Sequence, residues 1–377
     1  MCKLQVGCPS RKRYSDGQCS WQSGLRQGKT DHRTGTIVGI VAEIEFLPEW
    51  VLAIDEGLLK FVRFASIELH LAVFLPLGLL VGWLVSLWSA KLVARESEGT
   101  RSLPHWEKTA VILALGLIFP GLHLAIFYGN SHWITEGGSV DWAHLRLLYH
   151  YILISLLLTA TVIDFDQYLI PDEITVTGMI LGLGLATGVT NMQLMQVWVD
   201  WNQVDFIRGP YIPEWIKSHP HWHGFIYSMA GLVTGAGITW LARGIARCVL
   251  GMEALGFGDV TLMGMIGSFL GWQPVVFVFL LAPLVGNAVA LALRLAKRRD
   301  IVPYGPFLSA ASVLVLFTWR WLWTPTREIF GHWPTLTGLA VLVTGGLAAL
   351  LGLLRLYRAI PVERRGAGDG RRIEDGG

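Results

Sequence analysis

The sequence predicts an all-α polytopic membrane protein with about eight to nine transmembrane helices. Of its 377 residues, 53% are hydrophobic and only 15% are charged, a more apolar composition than a soluble globular domain has. The apolar residues also gather into windows of about 20, the length an α-helix needs to cross the hydrocarbon core of a bilayer. The lipid bilayer is therefore the expected surrounding, and the net charge of +2 gives no reason to expect a nucleic-acid partner.

Nine apolar windows are candidate membrane spans. They cover residues 69–90, 109–128, 146–164, 174–190, 223–242, 260–272, 275–294, 305–319 and 335–354. The sixth holds only about 13 apolar residues before Gly271, so we expect a short span or a re-entrant helix there. The number of full crossings is accordingly eight or nine.

Basic residues between the windows predict the orientation of the chain. Lys and Arg are concentrated in residues 91–108, 243–247, 294–299 and 355–372. Basic loops favour the cytoplasmic side of a membrane, so these segments are expected inside. On this assignment Asp164 and Asp259 lie at the same, cytoplasmic, face.

The two ends of the chain differ from the apolar middle. Residues 1–47 are polar, basic and without periodicity, and are expected to be disordered. Residues 48–67 mix apolar and charged residues in the manner of an interfacial helix. Residues 359–377 are expected to form a disordered cytoplasmic tail.

Acidic residues beside membrane spans are candidates for function, because an ionisable residue there costs about 2.5–3.5 kcal/mol on insertion scales. In TVIDFDQYLIPDEITVTG, residues 161–178, Asp164 closes a span, and Asp166 and Asp172 lie in the connection that turns at Pro171. Asp172 suits a helix N-terminus and Asp166 a solvated loop. Asp164 is at a helix C-terminus, where the helix dipole disfavours a negative charge, so it needs another reason to be there.

The second acidic motif is ALGFGDVTLMG, where Asp259 opens an apolar run. A helix N-cap would explain this carboxylate as well. Gly256 and Gly258, just before it, allow close approach either of another helix or of a substrate.

Three ordered motifs carry a family resemblance. The pattern I-D-x-D-x-x-x-I-P-D-x-x-T from Ile163, then G-x-G-D-V, then PYGPFL at 303–308, resembles the type IV prepilin peptidases, which are GxGD aspartic membrane proteases related to the preflagellin peptidases. The resemblance covers about half of the chain, residues 146–320. It implies that the catalytic aspartates are Asp164 and Asp259, with Asp166 a less favoured alternative to Asp164.

The resemblance also implies residues that bind substrate or shape the site. These are Gly256, Gly258, Pro303, Gly305 and Pro306. Helix packing is an equally good explanation for the two glycines of the GxGD motif, and a helix start explains both prolines equally well.

The function implied is a membrane aspartic endopeptidase of the bacterial inner membrane. It would cut the basic leader peptide from type IV prepilins or pseudopilins at the cytoplasmic face, without a cofactor. One carboxylate takes a proton from water while its protonated neighbour donates to the scissile carbonyl. Residues 68–145 would then be N-terminal transmembrane helices, 146–320 the peptidase core and 321–358 an additional transmembrane helix.

The chain departs from the family pattern at two places. Bifunctional members carry paired C-x-x-C motifs in a cytoplasmic insertion associated with N-methylation, whereas residues 91–108 are short and contain no Cys. We therefore expect peptidase activity without N-methyltransferase activity. Thr261 stands where relatives commonly have Lys.

Metal binding is not expected. The four cysteines, at positions 2, 8, 19 and 248, form no C-x-x-C pair. His219, His221 and His223 lie among Trp and Pro, without a neighbouring Cys or pair of acids. The remaining candidates, His70, His123 and His150, are expected at helix ends or packed between spans.

Two other functions remain open at this point. An ion- or proton-coupled transporter could use the two aspartates, although both lie near one face and no inverted repeat is evident. An inactive family member acting as a membrane scaffold is the other.

Overall fold

The computed structural model describes residues 67–99, 102–129, 143–195, 197, 213–251, 255–295 and 303–359. The predicted disordered segments 1–47 and 359–377 and the predicted interfacial helix 48–67 lie outside this part of the chain, apart from Ile67 and Ala359.

The described residues form ten α-helices and no strand, which confirms the predicted all-α class. In chain order they are α1 (Ile67–Glu96), α2 (His105–Phe127), α3 (Ala143–Gln167), α4 (Asp172–Val189), α5 (Glu214–Ser218), α6 (Pro220–Leu250), α7 (Phe257–Leu270), α8 (Trp272–Leu295), α9 (Gly305–Gly331) and α10 (Trp333–Ala359).

Eight of these helices are long and apolar enough to cross a membrane, in agreement with the predicted eight or nine. The exceptions are α5 and α7. The sixth apolar window is α7, and its 14 residues make a helix roughly 21 Å long, shorter than the ~30 Å hydrocarbon core. It is therefore a short helix rather than a full crossing.

Helix α7 is enclosed by protein rather than exposed to lipid. Every residue from Leu262 to Leu270 is buried. Gly231 of α6 and Gly267 of α7 face each other so closely that a Cβ on either would overlap the carbonyl oxygen of the other. Small residues at this crossing let the two backbones touch, as is typical of helix packing within membranes.

The C-terminal end of α7 is capped by side-chain hydroxyls. The Ser268 carbonyl accepts hydrogen bonds from Ser228 Oγ at 2.7 Å and Tyr149 Oη at 3.0 Å, and the Phe269 carbonyl accepts one from Tyr227 Oη at 3.1 Å. The last carbonyls of a helix have no partner within the helix, and leaving them unsatisfied away from water is costly. We call Tyr149, Tyr227 and Ser228 the hydroxyl collar, because together they hold the buried end of α7.

The chain turns sharply after the collar. Gly271 has φ +86°, and a Cβ there would overlap the ring of Tyr227. Glycine is the residue that adopts this conformation without strain. It lets α8 begin at Trp272 immediately after α7 ends.

The N-terminal helices pack on one another and on α3. Their buried polar residues include His70 and His123, whose rings stack with centroids 4.9 Å apart, and His150 is also fully buried. His70 Nδ1 also lies 3.1 Å from the hydroxyl of Tyr128. These three histidines were expected at helix ends or packed between spans; all three are buried, and His70 also lies in the first turn of α1.

Candidate active site

One cavity of about 760 Å³ opens where α3 ends and α4 and α7 begin. Its wall comes from four stretches of chain: the end of α1, the connection from α3 to α4, the start of α7, and the two residues before α9. Both predicted catalytic residues, Asp164 and Asp259, line it. Residues far apart in the sequence therefore meet at one end of the helix bundle.

Asp164 lies in the last turn of α3 and is only 5% exposed. Its Oδ2 accepts a hydrogen bond of 3.1 Å from the backbone N–H of Gly305, the first residue of α9. The first N–H groups of a helix lack partners within the helix, and the dipole there favours negative charge. A carboxylate unfavourably placed at the end of α3 is thus stabilised by the beginning of α9.

Asp259 is the third residue of α7 and is 7% exposed. Its Oδ2 accepts a hydrogen bond of 3.1 Å from the backbone N–H of Gly256, in the manner of a capping box. The helix-cap interpretation is therefore correct for one oxygen of this carboxylate. In the part of the chain that the structure describes, the hydrogen bonds of Asp164 and Asp259 involve Oδ2 alone, so Oδ1 of each can serve chemistry.

Two glycines are required by close packing around Ile170. A Cβ on Gly258 would lie 3.1 Å from Ile170 Cβ, and one on Gly305 would lie 3.0 Å from Ile170 Cδ1 and overlap Asp164 Oδ2. Gly256 differs, because a Cβ there would only reach ordinary contact with Asp259 Oδ2 at 3.5 Å. The side chain of Ile170 therefore fixes the spacing between the starts of α7 and α9.

The predicted site-shaping residues separate into two groups. Gly256, Gly258 and Pro303 line the cavity, and Gly305 contacts Asp164 directly. Pro306 is buried in the first turn of α9 and is not part of the cavity lining, which favours the helix-start interpretation for this proline.

The other two acids of the first motif occupy different positions. Asp166 is half-buried and does not line the cavity. Asp172 is exposed, begins α4 just after the N-cap residue Pro171, and does line the cavity. Asp164, rather than Asp166, is therefore the acid that shares a cavity with Asp259.

Sequence reasoning missed several residues of the cavity wall. Arg95 and Glu96 come from the end of α1, and Arg95 forms ion pairs of 2.9 Å with Glu96 and with Glu173. No motif points to α1, so only packing could reveal them. Glu173 stands beside Asp172, and this pair of acids directly after a proline was a signal available in the sequence.

Aromatic residues also line the cavity. Tyr168, Phe257 and Tyr304 were not predicted there, although Tyr304 lies within the PYGPFL motif. Burial, with a contribution from the charge of Asp259, raises the pKa of Tyr304 to about 12. The Tyr304 hydroxyl is thus protonated at neutral pH and is available as a hydrogen-bond donor.

The three histidines at the start of α6 have separate partners. His221 Nδ1 lies 2.7 Å from the Thr187 carbonyl, His223 Nε2 accepts from the backbone N–H of Val197 at 3.1 Å, and His219 contacts Ser218. Within the described ranges, no three His, Cys, Asp or Glu side chains are grouped so as to hold a metal ion. Cys248 is a free, exposed thiol, and the other three cysteines lie outside those ranges.

Comparison with known proteins agrees with the motifs. Residues 215–291, which include Asp259 but not Asp164, match the sequence model of the type IV leader peptidase family. No solved structure gives a significant match to this chain.

Three similar proteins are each named prepilin leader peptidase/N-methyltransferase. The protein from Escherichia coli K12 is 30% identical over 167 residues, 44% of this chain and 60% of the relative. The proteins from Pectobacterium carotovorum and Pseudomonas putida are 32% and 27% identical, and the matches cover 43% and 46% of this chain and 48% and 51% of those relatives. The chain thus spans between about half and three-fifths of the length of these relatives. These matches confirm the predicted resemblance to the type IV prepilin peptidases, and residues 215–291 are the region that is similar to the type IV leader peptidase family.

Proposed function

We propose that this protein is an aspartic endopeptidase of the bacterial inner membrane that removes the basic leader peptide from type IV prepilins or pseudopilins. The observation that carries the proposal is the pair of buried carboxylates, Asp164 and Asp259, in one cavity at the end of the helix bundle. The names of the similar proteins supply the substrate class.

The arrangement supports general acid–base hydrolysis of a peptide bond. One aspartate, ionised, accepts a proton from a water molecule as that water adds to the scissile carbonyl carbon. The other, protonated, donates its proton to the carbonyl oxygen. Collapse of the tetrahedral intermediate then breaks the C–N bond: the departing amine takes the proton that the first aspartate accepted from water, and a hydroxyl of the intermediate returns a proton to the second aspartate, which restores the dyad. Because the two carboxyls titrate as a pair, the roles of acid and base belong to the dyad rather than to one residue.

The backbone N–H groups orient this pair. Gly305 N–H holds Oδ2 of Asp164, and Gly256 N–H holds Oδ2 of Asp259, each at 3.1 Å. Both donors are fixed at helix starts, so each carboxyl has one restrained oxygen and one, Oδ1, for the reacting water or carbonyl. Such preorganisation keeps the reacting groups within the geometry that catalysis needs.

The position of the cavity suits a membrane-anchored substrate. Arg243 and Arg355 contact residues at the same end of the bundle, Phe257 and Val249 respectively, so positive charge gathers beside the site. Basic residues favour the cytoplasmic side, which supports cleavage at that face. The shared cavity at one end also favours a peptidase over a transporter, whose acids would follow a path across the bilayer.

We also propose that the chain lacks the N-methyltransferase activity for which its relatives are named. The segment 91–108 has no cysteine, so it cannot supply the paired C-x-x-C motifs associated with that activity.

Cleavage of a prepilin-type substrate in membranes tests both proposals. Wild type, Asp164→Asn and Asp259→Asn are compared, and mass spectrometry determines the new N-terminus and whether it is methylated. Loss of cleavage in both variants and an unmethylated product from wild type are expected. Undiminished cleavage by either variant would remove that residue from the dyad, and a methylated product would refute the second proposal.

A further inference from the structure

The cavity wall holds more acids than the proposed dyad uses. Besides Asp164 and Asp259, it carries Glu96 at the end of α1 and Asp172 and Glu173 at the start of α4. We call these three residues the acidic rim. They are more accessible than the dyad: Asp172 is exposed, and the side chains of Glu96 and Glu173 are 30% and 59% exposed.

Among the described residues that line the cavity, Arg95 is the single base. It already forms ion pairs with Glu96 and Glu173, each at 2.9 Å. Arg243 does not line the cavity, but its guanidinium lies 5.7 Å from the ring centre of the lining residue Phe257 and adds a second positive charge nearby. Three rim acids against these two arginines still leave one surplus negative charge at the mouth, before the dyad is counted. A ligand that enters this mouth is therefore favoured when it carries positive charge.

A second, apolar feature lies on the same wall. Leu169 and Phe257 are large side chains that stay about half exposed, at 48% and 57%, and both line the cavity beside the acids. Leu169 is only three residues from Asp172 along the connection from α3 to α4. A wall that combines acids with exposed apolar side chains fits a peptide that changes from basic to apolar.

The buried dyad lies within this mixed wall. Asp164 and Asp259 are both more than nine-tenths buried, and Oδ1 of each makes no hydrogen bond to a described residue. A volume of about 760 Å³ is also far more than one reacting water needs. The space therefore fits several residues of an extended chain on either side of the reacting bond.

We propose that the acidic rim binds the basic leader of the substrate, while Leu169 and Phe257 contact the first apolar residues beyond the cleaved bond. This inference rests on the proposed peptidase function and assigns the specificity of that same site. In the free protein, Arg95 occupies part of the rim. A leader Lys or Arg pairs with Asp172, which forms no ion pair with a residue that the structure describes, or takes the place of Arg95 on Glu173.

The expected contribution of each rim acid is modest, because exposed ion pairs are screened by water and salt. The energy of such pairs corresponds to about 1.5- to 5-fold in binding per charge. Removing all three acids should therefore change the preference for a basic leader by on the order of 10-fold, with a larger effect at low ionic strength.

The test compares two substrates that share the apolar helix and the cleavage site. One has a leader with Lys and Arg, and the other has Gln at those positions. The ratio of kcat/KM for the basic leader to that for the neutral leader is measured for wild type and for the triple variant Glu96→Gln, Asp172→Asn, Glu173→Gln. The ratio should fall about 10-fold in the triple variant, chiefly through KM.

Two further variants sharpen the result. Glu98→Gln makes the same charge change two residues from Glu96, at an exposed residue that does not line the cavity, and should keep the wild-type ratio. Arg95→Gln leaves the acids without their competing base, so it should raise the ratio by about 2-fold.

The outcomes separate this inference from the peptidase proposal. A triple variant that keeps the wild-type ratio, or a Glu98→Gln variant that loses it equally, overturns the role of the rim while cleavage stands. If the wild-type protein cleaves neither substrate, both the proposed peptidase function and the role of the acidic rim are overturned. If wild type has equal kcat/KM for the two substrates, the cavity does not distinguish leader charge. That result overturns the role of the acidic rim and leaves the peptidase proposal standing.

Discussion

The backbone N–H of Gly305 donates to Asp164 Oδ2 over 3.1 Å, although the two residues are 141 positions apart in the chain. This bond joins the end of α3 to the start of α9. It explains how a carboxylate is tolerated at the C-terminal end of a helix, because the opposing helix start supplies an unpaired N–H and a favourable dipole. The PYGPFL motif therefore contributes a backbone group, rather than a side chain, to the site.

Gly305→Ala should reduce cleavage by on the order of 100-fold in kcat. A Cβ at this position would overlap Asp164 Oδ2 and lie 3.0 Å from Ile170 Cδ1, so the carboxylate or α9 must move. A displacement of about 1 Å in a catalytic group can cost that much. Steady-state kinetics on a prepilin-type substrate measures the effect.

Gly244→Ala is the matched control for this substitution. A Cβ on Gly244 of α6 meets nothing within 4 Å, and alanine is the better helix former by about 0.5–1 kcal/mol. Wild-type kcat is expected, and an equal loss in both variants would contradict the packing argument.

Replacing either aspartate of the dyad by asparagine should lower kcat by about 10³-fold, within the range of general acid–base catalysis. Asparagine keeps the shape and still accepts a hydrogen bond through its oxygen, so the fold should be retained. Asp166→Asn provides the comparison, because Asp166 belongs to the same motif but not to the cavity lining. Activity of Asp166→Asn should stay within about threefold of wild type, and a greater loss there than in Asp164→Asn would reverse the assignment.

The pH profile of cleavage should be bell-shaped. Activity needs one proton shared between the two aspartates, so it falls at low pH, where both are protonated, and at high pH, where both are ionised. Tyr304 has a pKa of about 12, so raising the pH from 5 to 10 leaves its hydroxyl protonated. The profile of Tyr304→Phe should therefore keep the wild-type alkaline limb, and a shift of that limb would show that the tyrosine titrates in the assay range.

Tyr227→Phe should destabilise the protein by about 0.5–2 kcal/mol, the range for buried hydrogen bonds between membrane helices. The Tyr227 hydroxyl donates to the Phe269 carbonyl and accepts from the backbone N–H of Leu194, and both partners would be left buried without it. Thermal unfolding in detergent measures the loss. Tyr357→Phe makes the same chemical change at a 74% exposed residue and should leave the midpoint unchanged; equal midpoints for the two variants would exclude a stabilising role for the Tyr227 hydroxyl.

The positions of the helices were largely predictable because the signal is local. Each of the nine apolar windows overlaps a helix, since about 20 apolar residues are enough to define a span. The ends were less predictable. Helix α9 continues to Gly331, well past the window that ends at 319, through residues that include Arg320 and Arg327. Charged residues lower the local hydrophobicity and so end the apolar window, but they do not interrupt the helical backbone.

The site was predictable only where motifs mark it. Asp164 and Asp259 follow from two short patterns and their order, and the structure places both in one cavity. Arg95 and Glu96 could not be found in this way, because they reach the wall only through the packing of α1 against α3. One contact that holds the end of α1 beside the cavity is a hydrogen bond of 3.0 Å from Gln167 Nε2 to the Val93 carbonyl oxygen.

The hydroxyl collar also restricts the length of α7. That helix is held at one end by Tyr149, Tyr227 and Ser228, and at the other it presents Asp259 to the cavity. Inserting or deleting one residue between these ends would turn Asp259 by about 100° and move it by about 1.5 Å relative to the collar. The number of residues between Gly256 and Gly271 therefore sets the direction in which the second carboxylate points.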